Sequence, residues 1–162
     1  MGSVSTASLN QLYAIPAEYE SKLEYVPHEQ IDSRSDAEIL ESLKQHAPVT
    51  SEKNVWAFWD KGVDAMPGWC LRNVTGWVRI LGSEWTVRVL DSVPDSANHV
   101  LKFVPEELLP ETMVQGTMDG PYVGAHSADF VRTAVIYVHG GVWQDGEYQD
   151  PVPVFALFVF HD

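Results

Sequence analysis

The chain has 162 residues, with 10 Lys and Arg against 23 Asp and Glu and a formal net charge of -13. That length suits one domain with a real core, and the acidity argues against a phosphate-neutralising nucleic-acid face or a polybasic membrane surface. The lone cysteine, Cys70, rules out an intramolecular disulfide framework and is expected in the core beside Trp69.

In chain order, Met1 to Leu12 is Ser/Thr-rich, with neither a basic n-region nor an apolar stretch. No signal peptide or anchor is read there, so the cytoplasm is the default location, with the secretory pathway left open. Residues 1–50 form an acid-rich, tryptophan-free arm broken by Ile15-Pro16 and Val26-Pro27. Within it, Ser35-Asp36-Ala37-Glu38 opens a short helix as a capping box, with Ile39, Leu40 and Leu43 as its apolar stripe and His46-Ala47-Pro48 as its stop.

The domain proper is expected over residues 51–145. Val55 to Trp59 is a near-continuous apolar run, which suits a buried parallel strand, followed by an Asp60-Lys61-Gly62 loop. Pro67 to Ile80 reads as a helix, with Trp69, Val74, Trp77 and Val78 near helical spacing. The sequon at Asn73-Val74-Thr75 is read as chance, for want of a secretory entry signal. Trp85 to Leu90 alternates as a second strand, and Asp91 to Asn98 is a loop. After the Gly120-Pro121-Tyr122-Val123-Gly124 loop, Ala125 to Val138 is a helix with Phe130, Ala134, Ile136 and Tyr137 near one face. Gly140-Gly141 stops it and Val142-Trp143 begins a third strand. Strands alternating with helices predict an α/β fold. Residues 146–162 form a divergent tail. Its apolar run, Val152 to Phe160, is too short to span a bilayer and contains Pro153, so no transmembrane segment is read.

The residues with chemistry in them lie between Ser127 and Glu147. Asp129 and Arg132 are three apart on a helix and share a face. Asp145 and Glu147 are two apart beyond a strand and point to one side if the chain stays extended. Paired carboxylates hold a hard cation through oxygen, and Mg²⁺ or Mn²⁺ on such a pair binds a diphosphate. An acidic protein then accommodates an anionic ligand. Taken singly, Asp-Gly-Glu is most often a solvated turn and Asp129 with Arg132 a surface pair. Their order and spacing together carry the inference. Five of the six Trp lie between residues 56 and 85; most of these are expected in the core, and only Trp59 is expected to touch ligand. His126 is read either as a cap or support for the site or, equally, as a structural hydrogen-bonding residue, His99 and His139 as surface or helix-end residues, and a zinc site is not expected.

This stretch resembles the Asp-x-Asp glycosyltransferases of the α-1,6-mannosyltransferase type, whose motif runs Ser-Asp-x-x-Arg, an apolar helix, then Gly-Gly-x-Tyr-x-Asp-x-Asp. It is more closely similar to the capsular polysaccharide synthesis proteins, especially the fungal members. The resemblance rests on Trp56 to Gly62, Met66 to Cys70, Trp85 to Asp91, Gly116 to Gly124, His126 to Phe130 and Gly140 to Trp143. It covers residues 13–145.

The resemblance implies a GT-A-like fold, a Rossmann-like sheet of which this chain is the N-terminal donor-binding half. It implies that Trp59 stacks the nucleotide base and that Asp129 and Arg132 bind donor-sugar hydroxyls or phosphate. Asp145 matches the first acid of Asp-x-Asp, contacting ribose and metal. Glu147 stands at the second, also a metal position. The implied partners are a nucleotide-sugar donor, a glycan or polysaccharide acceptor and Mn²⁺ or Mg²⁺. No catalytic residue is assigned. Family members run longer, so a non-catalytic fragment that retains weak nucleotide-sugar binding is the alternative. The match stops at Asp145. Gly146-Glu147-Tyr148 can be encoded by GGT-GAG-TAT, which contains a splice-donor-like GTGAGT. Residues 146–162 are therefore also readable as an unspliced intron, in which case Glu147 is a coincidence.

Overall fold

The computed structural model describes residues 28–81 and 84–145. Along them run α1 (Asp36–Leu43), β1 (Asn54–Phe58), α2 (Gly68–Leu81), β2 (Thr86–Leu90), the short α3 (Glu111–Val114), α4 (Val123–His139) and β3 (Val142–Trp143). The expected capping box starts α1. The Ser35 hydroxyl accepts the Glu38 N–H, and the Glu38 carboxylate accepts the Ser35 N–H at 2.8 Å. Ile39 and Leu43 are buried, and they join the core formed by α2 and the sheet.

The sheet is α/β in the expected sense: parallel, three-stranded and ordered β2-β1-β3. β1 pairs with β2 from Asn54 opposite Thr86 to Phe58 opposite Leu90. On its other side β1 pairs with β3 only at Val55 opposite Val142 and Trp56 opposite Trp143. A central parallel strand is covered on both faces and must be apolar on both. All five β1 residues are buried. Val55, Ala57, Val87 and Val89 pack with α1 and α2 on one face. Trp56, Phe58 and Leu90 pack with α4 on the other.

β2 alternates in sequence, yet Val87 to Leu90 are all buried, Arg88 among them. Burial is tolerable because the guanidinium is satisfied. Its Nε donates to the Ala47 carbonyl at 3.0 Å, its Nη2 to the Pro48 carbonyl at 2.8 Å, and its Nη1 to Asn54 Oδ1. The guanidinium carbon also lies 5.0 Å from the centroid of the Trp56 ring. Removal from water pulls the Arg88 pKa below the ordinary arginine value. Arg88 thus ties the segment between α1 and β1 to the sheet.

The predicted helices hold with shifted edges. Pro67 lies one residue before α2, and its carbonyl accepts the Leu71 N–H at 3.1 Å. Cys70 is buried as expected, and Thr75 of the sequon is buried inside the helix. In α4 the buried stripe is Ser127, Val131, Ala134 and Val135, not the face through Phe130 and Tyr137. Spacing of i, i+4, i+7 and i+8 sets that stripe. Phe130 and Tyr137 fall on its flank and are 43% and 80% exposed. Among the described residues no helix is long and apolar enough to cross a membrane.

The Gly140-Gly141 turn places β3. Both residues have positive φ, 65° and 94°. The Gly140 N–H bonds the Ile136 carbonyl at 2.9 Å, and its own carbonyl accepts the Trp56 indole N–H at 2.9 Å. A Cβ on Gly141 would stand 2.5 Å from the Asn54 carbonyl oxygen, so only glycine lets β3 come this close to β1.

Candidate functional site

From β1 the chain reaches one neighbour strand through α2 and the other by way of α4, helices on opposite faces of the sheet. In an open α/β sheet that divergence leaves a crevice outside the carboxyl ends of the strands. A cavity of about 600 Å³ lies there. Trp59, Asp60 and Lys61 line it from the end of β1, and Trp143, Gln144 and Asp145 from the end of β3. The first turns of α4 supply its remaining wall, including Gly124, Ala128, Asp129 and Arg132.

Each strand end is fixed by backbone bonds. The Trp59 N–H donates to the Leu90 carbonyl at 2.9 Å, and the Gln144 N–H to the Trp56 carbonyl at 2.9 Å. Gly62, with φ 79°, turns the chain back after Lys61 and donates its N–H to the Trp59 carbonyl at 2.8 Å. The Asp60 carboxyl rests against the first turn of α4, its Cγ 3.5 Å from where a Gly124 Cβ would be. A helix N-terminus favours that negative charge.

Arg132 is the hub of the polar groups. Its Nη2 lies 2.7 Å from Asp145 Oδ1 and 3.6 Å from Asp129 Oδ1. The Trp143 indole N–H donates to the same Asp145 Oδ1 at 2.7 Å. The Arg132 guanidinium carbon sits 5.4 Å from the Trp143 ring centroid. Arg132 Nε is buried and has no partner among the described residues. The two acids keep 68% and 58% of their side-chain surface exposed, so water screens these pairs and they contribute little to stability. Their charges remain available to a ligand.

Four expected site residues, Trp59, Asp129, Arg132 and Asp145, therefore line one cavity. The fifth, Glu147, lies outside the described residues, as does the 146–162 tail. Among the described residues no group of three or more His, Cys, Asp or Glu could hold a metal by itself. Mg²⁺ and Mn²⁺ need less. One or two carboxylates suffice when a diphosphate and water complete the shell. Asp145 fits that demand, since its Oδ2 has no hydrogen bond among the described residues.

Sequence reasoning did not single out Asp60, Lys61 or Trp143. The usable signal was their place at the carboxyl ends of strands, where the crevice rule puts ligands. Of the other Trp, Trp56 and Trp77 are buried, and Trp69 and Trp85 pack partly buried on the core. His126 lines a smaller hollow of about 230 Å³ with Met118, Asp129 and Phe130. His139, at the end of α4, contacts the Phe103 carbonyl at 2.6 Å, and His99 accepts the Leu101 N–H.

Comparison with known proteins matches most of this chain. The chain is 55% identical over 133 residues to the probable glycosyltransferase FCK3 of Fusarium pseudograminearum, covering 82% of this chain and 33% of that protein. It is 53% identical over 121 residues to the O-glycosyltransferase PaGT of Phomopsis amygdali, covering 74% of this chain and 30% of that protein. It is 50% identical over 123 residues to the glycosyltransferase afumC of Aspergillus fumigatus, covering 74% and 32% respectively. The chain spans about a third of the length of these curated relatives. No solved structure matches it. The sequence profile that does match covers residues 14–147, which includes the whole span that forms the sheet and the crevice, and by that match the chain belongs to the capsular polysaccharide synthesis protein family.

Proposed function

We propose that residues 51–145 form the donor-binding part of a GT-A-like glycosyltransferase, holding a nucleotide-sugar with Mn²⁺ or Mg²⁺ for transfer to a glycan or polysaccharide acceptor. The observation that carries this is the convergence of Trp59, Asp129, Arg132 and Asp145 on one crevice at the ends of β1 and β3. An aromatic ring, a guanidinium and carboxylates are what a base, a diphosphate and sugar hydroxyls require. Trp59 offers a face for the base, and Arg132 a planar donor fork for the diphosphate. Asp129 accepts from donor-sugar hydroxyls and Asp145 from ribose. A bound divalent cation would supply Lewis-acid stabilisation of the departing nucleoside diphosphate. Arg132 would add fixed positive charge where negative charge develops as an acceptor hydroxyl attacks the anomeric carbon. Glu147 is a second candidate cation ligand by its motif position alone.

Calorimetry with UDP and with GDP, in Mn²⁺ and in EDTA, tests the site. Binding that needs Mn²⁺, weakens at least about tenfold (about 1.4 kcal/mol) in Asp145→Ala and survives Glu107→Ala is the expected result. Binding indifferent to both Mn²⁺ and Asp145→Ala would remove the proposal. Nucleoside diphosphate release from candidate donors then separates transfer from binding alone.

A further inference from the structure

We propose that Trp143 is a positioning residue of this crevice: its indole N–H locks the Asp145 carboxylate by one oxygen and leaves the other to face the ligand. The inference rests on the donor-site reading above and names a residue that reading does not use. Two donors converge on Asp145 Oδ1, the Trp143 indole and Arg132 Nη2, each at 2.7 Å. Oδ2 receives no hydrogen bond among the described residues. The carboxylate is therefore oriented, with one oxygen tied and one open.

The strand geometry explains why Trp143 can do this. Residues two apart on an extended chain project to the same side, and the Gln144 N–H between them is tied to the Trp56 carbonyl at 2.9 Å. The ring also has a second task. It lies under the Arg132 guanidinium at 5.4 Å, so the cation that shares Oδ1 is itself held in place. Arg132 alone is a poor anchor for Asp145, because Asp129 competes for the same Nη2 from 3.6 Å. Without the indole donor, a carboxylate with 58% of its side-chain surface exposed would have to be immobilised at the moment of ligand binding. Pre-paid ordering of this kind raises affinity without a new contact.

Trp143→Phe keeps a ring under Arg132 and removes the N–H. With UDP and GDP as probes, the variant should bind about five- to tenfold more weakly in Mn²⁺. Its melting temperature should be unchanged. A loss that comes with a lowered melting temperature would mean that the ring merely supports the fold, and would overturn the proposal, as would no loss at all in Mn²⁺. A ligand-free measurement stands beside it. The Trp143 indole proton resonance, identified by its disappearance in Trp143→Phe, should move in Asp145→Ala. An unmoved resonance overturns the link. A wild type that binds neither nucleotide removes the donor-site reading and the ligand-facing role of Oδ2 with it, while the Trp143–Asp145 link is still decided by the indole resonance.

Discussion

The two sides of β1 are built differently. Toward β2 it has a five-position parallel ladder, buried from Val87 to Leu90 and tied through Arg88 to the segment before β1. Toward β3 it has a two-position ladder of half-buried residues, reached through two glycines of positive φ. The first side makes the fold and the second makes the site. Strength of attachment and exposure of polar groups trade against each other: the side chains that can meet a ligand emerge where the sheet is held by least. Elements that bind ligand are commonly drawn from the less stable parts of a structure.

The sharpest break is at Arg88. Arg88→Ala leaves the buried Asn54 Oδ1 and the partly buried Ala47 and Pro48 carbonyls without their donor. A loss of about 3 kcal/mol in urea denaturation is expected, as for other partners removed from buried charged networks. A loss under about 1 kcal/mol would mean that water replaces the guanidinium and that the β2 side is less closed than its burial implies. At temperatures where the variant stays folded, its crevice should be intact.

Gly141→Ala is the matching break on the β3 side. The added Cβ meets the Asn54 carbonyl oxygen at 2.5 Å and the backbone must hold φ at 94°. The cost is about 2 kcal/mol, and it should fall locally. Amide exchange at Gln144, whose N–H bonds the Trp56 carbonyl, should quicken more than tenfold, and Mn²⁺-dependent nucleotide binding should fall with it. Amides from Val87 to Leu90 should keep their protection. Uniform acceleration across both ladders would contradict the division between a fold side and a site side.

The same division governs what was legible in the sequence. Val55 to Trp59 announces a doubly covered strand because burial on both faces forbids alternation, and Ser35 with Glu38 announces a helix start because the capping box is local. β2 was legible as a strand but not as a buried one. The partners of Arg88 lie about 40 residues upstream, and no local pattern reports them. In α4 the aromatic residues drew the predicted face toward Phe130 and Tyr137. The sheet instead selected a stripe containing Ser127 and Ala134, small residues that let the helix approach. At the site, Asp129, Arg132 and Asp145 were legible through motif order. Asp60 and Trp143 were not, because their significance comes from the crevice that only the strand order creates.

The smallest expected effect concerns acid, and it belongs to the fold side through α1. Hydrogen bonds from the Arg34 side chain hold the Asp32 carboxyl below its usual pKa, and bonds from Ser35 do the same for Glu38. A carboxylate depressed in the folded state stabilises it above its unfolded pKa and loses that contribution as pH falls through the folded value. Stability should therefore be flat near neutrality and decline only as pH drops through and below the ordinary carboxylate range. Glu38→Gln should flatten part of that decline. It keeps an acceptor for the Ser35 N–H but no longer titrates, so its deficit should shrink as acid protonates the native Glu38. Both groups are largely solvated, so the slope they contribute is shallow. Urea midpoints across an acid series for the two proteins would show it, and a stability that rises on acidification would reverse the assigned sign. Such a reversal would place the acid-sensitive groups among the repelling surface carboxylates of a chain with a net charge of -13, rather than in the cap that starts α1.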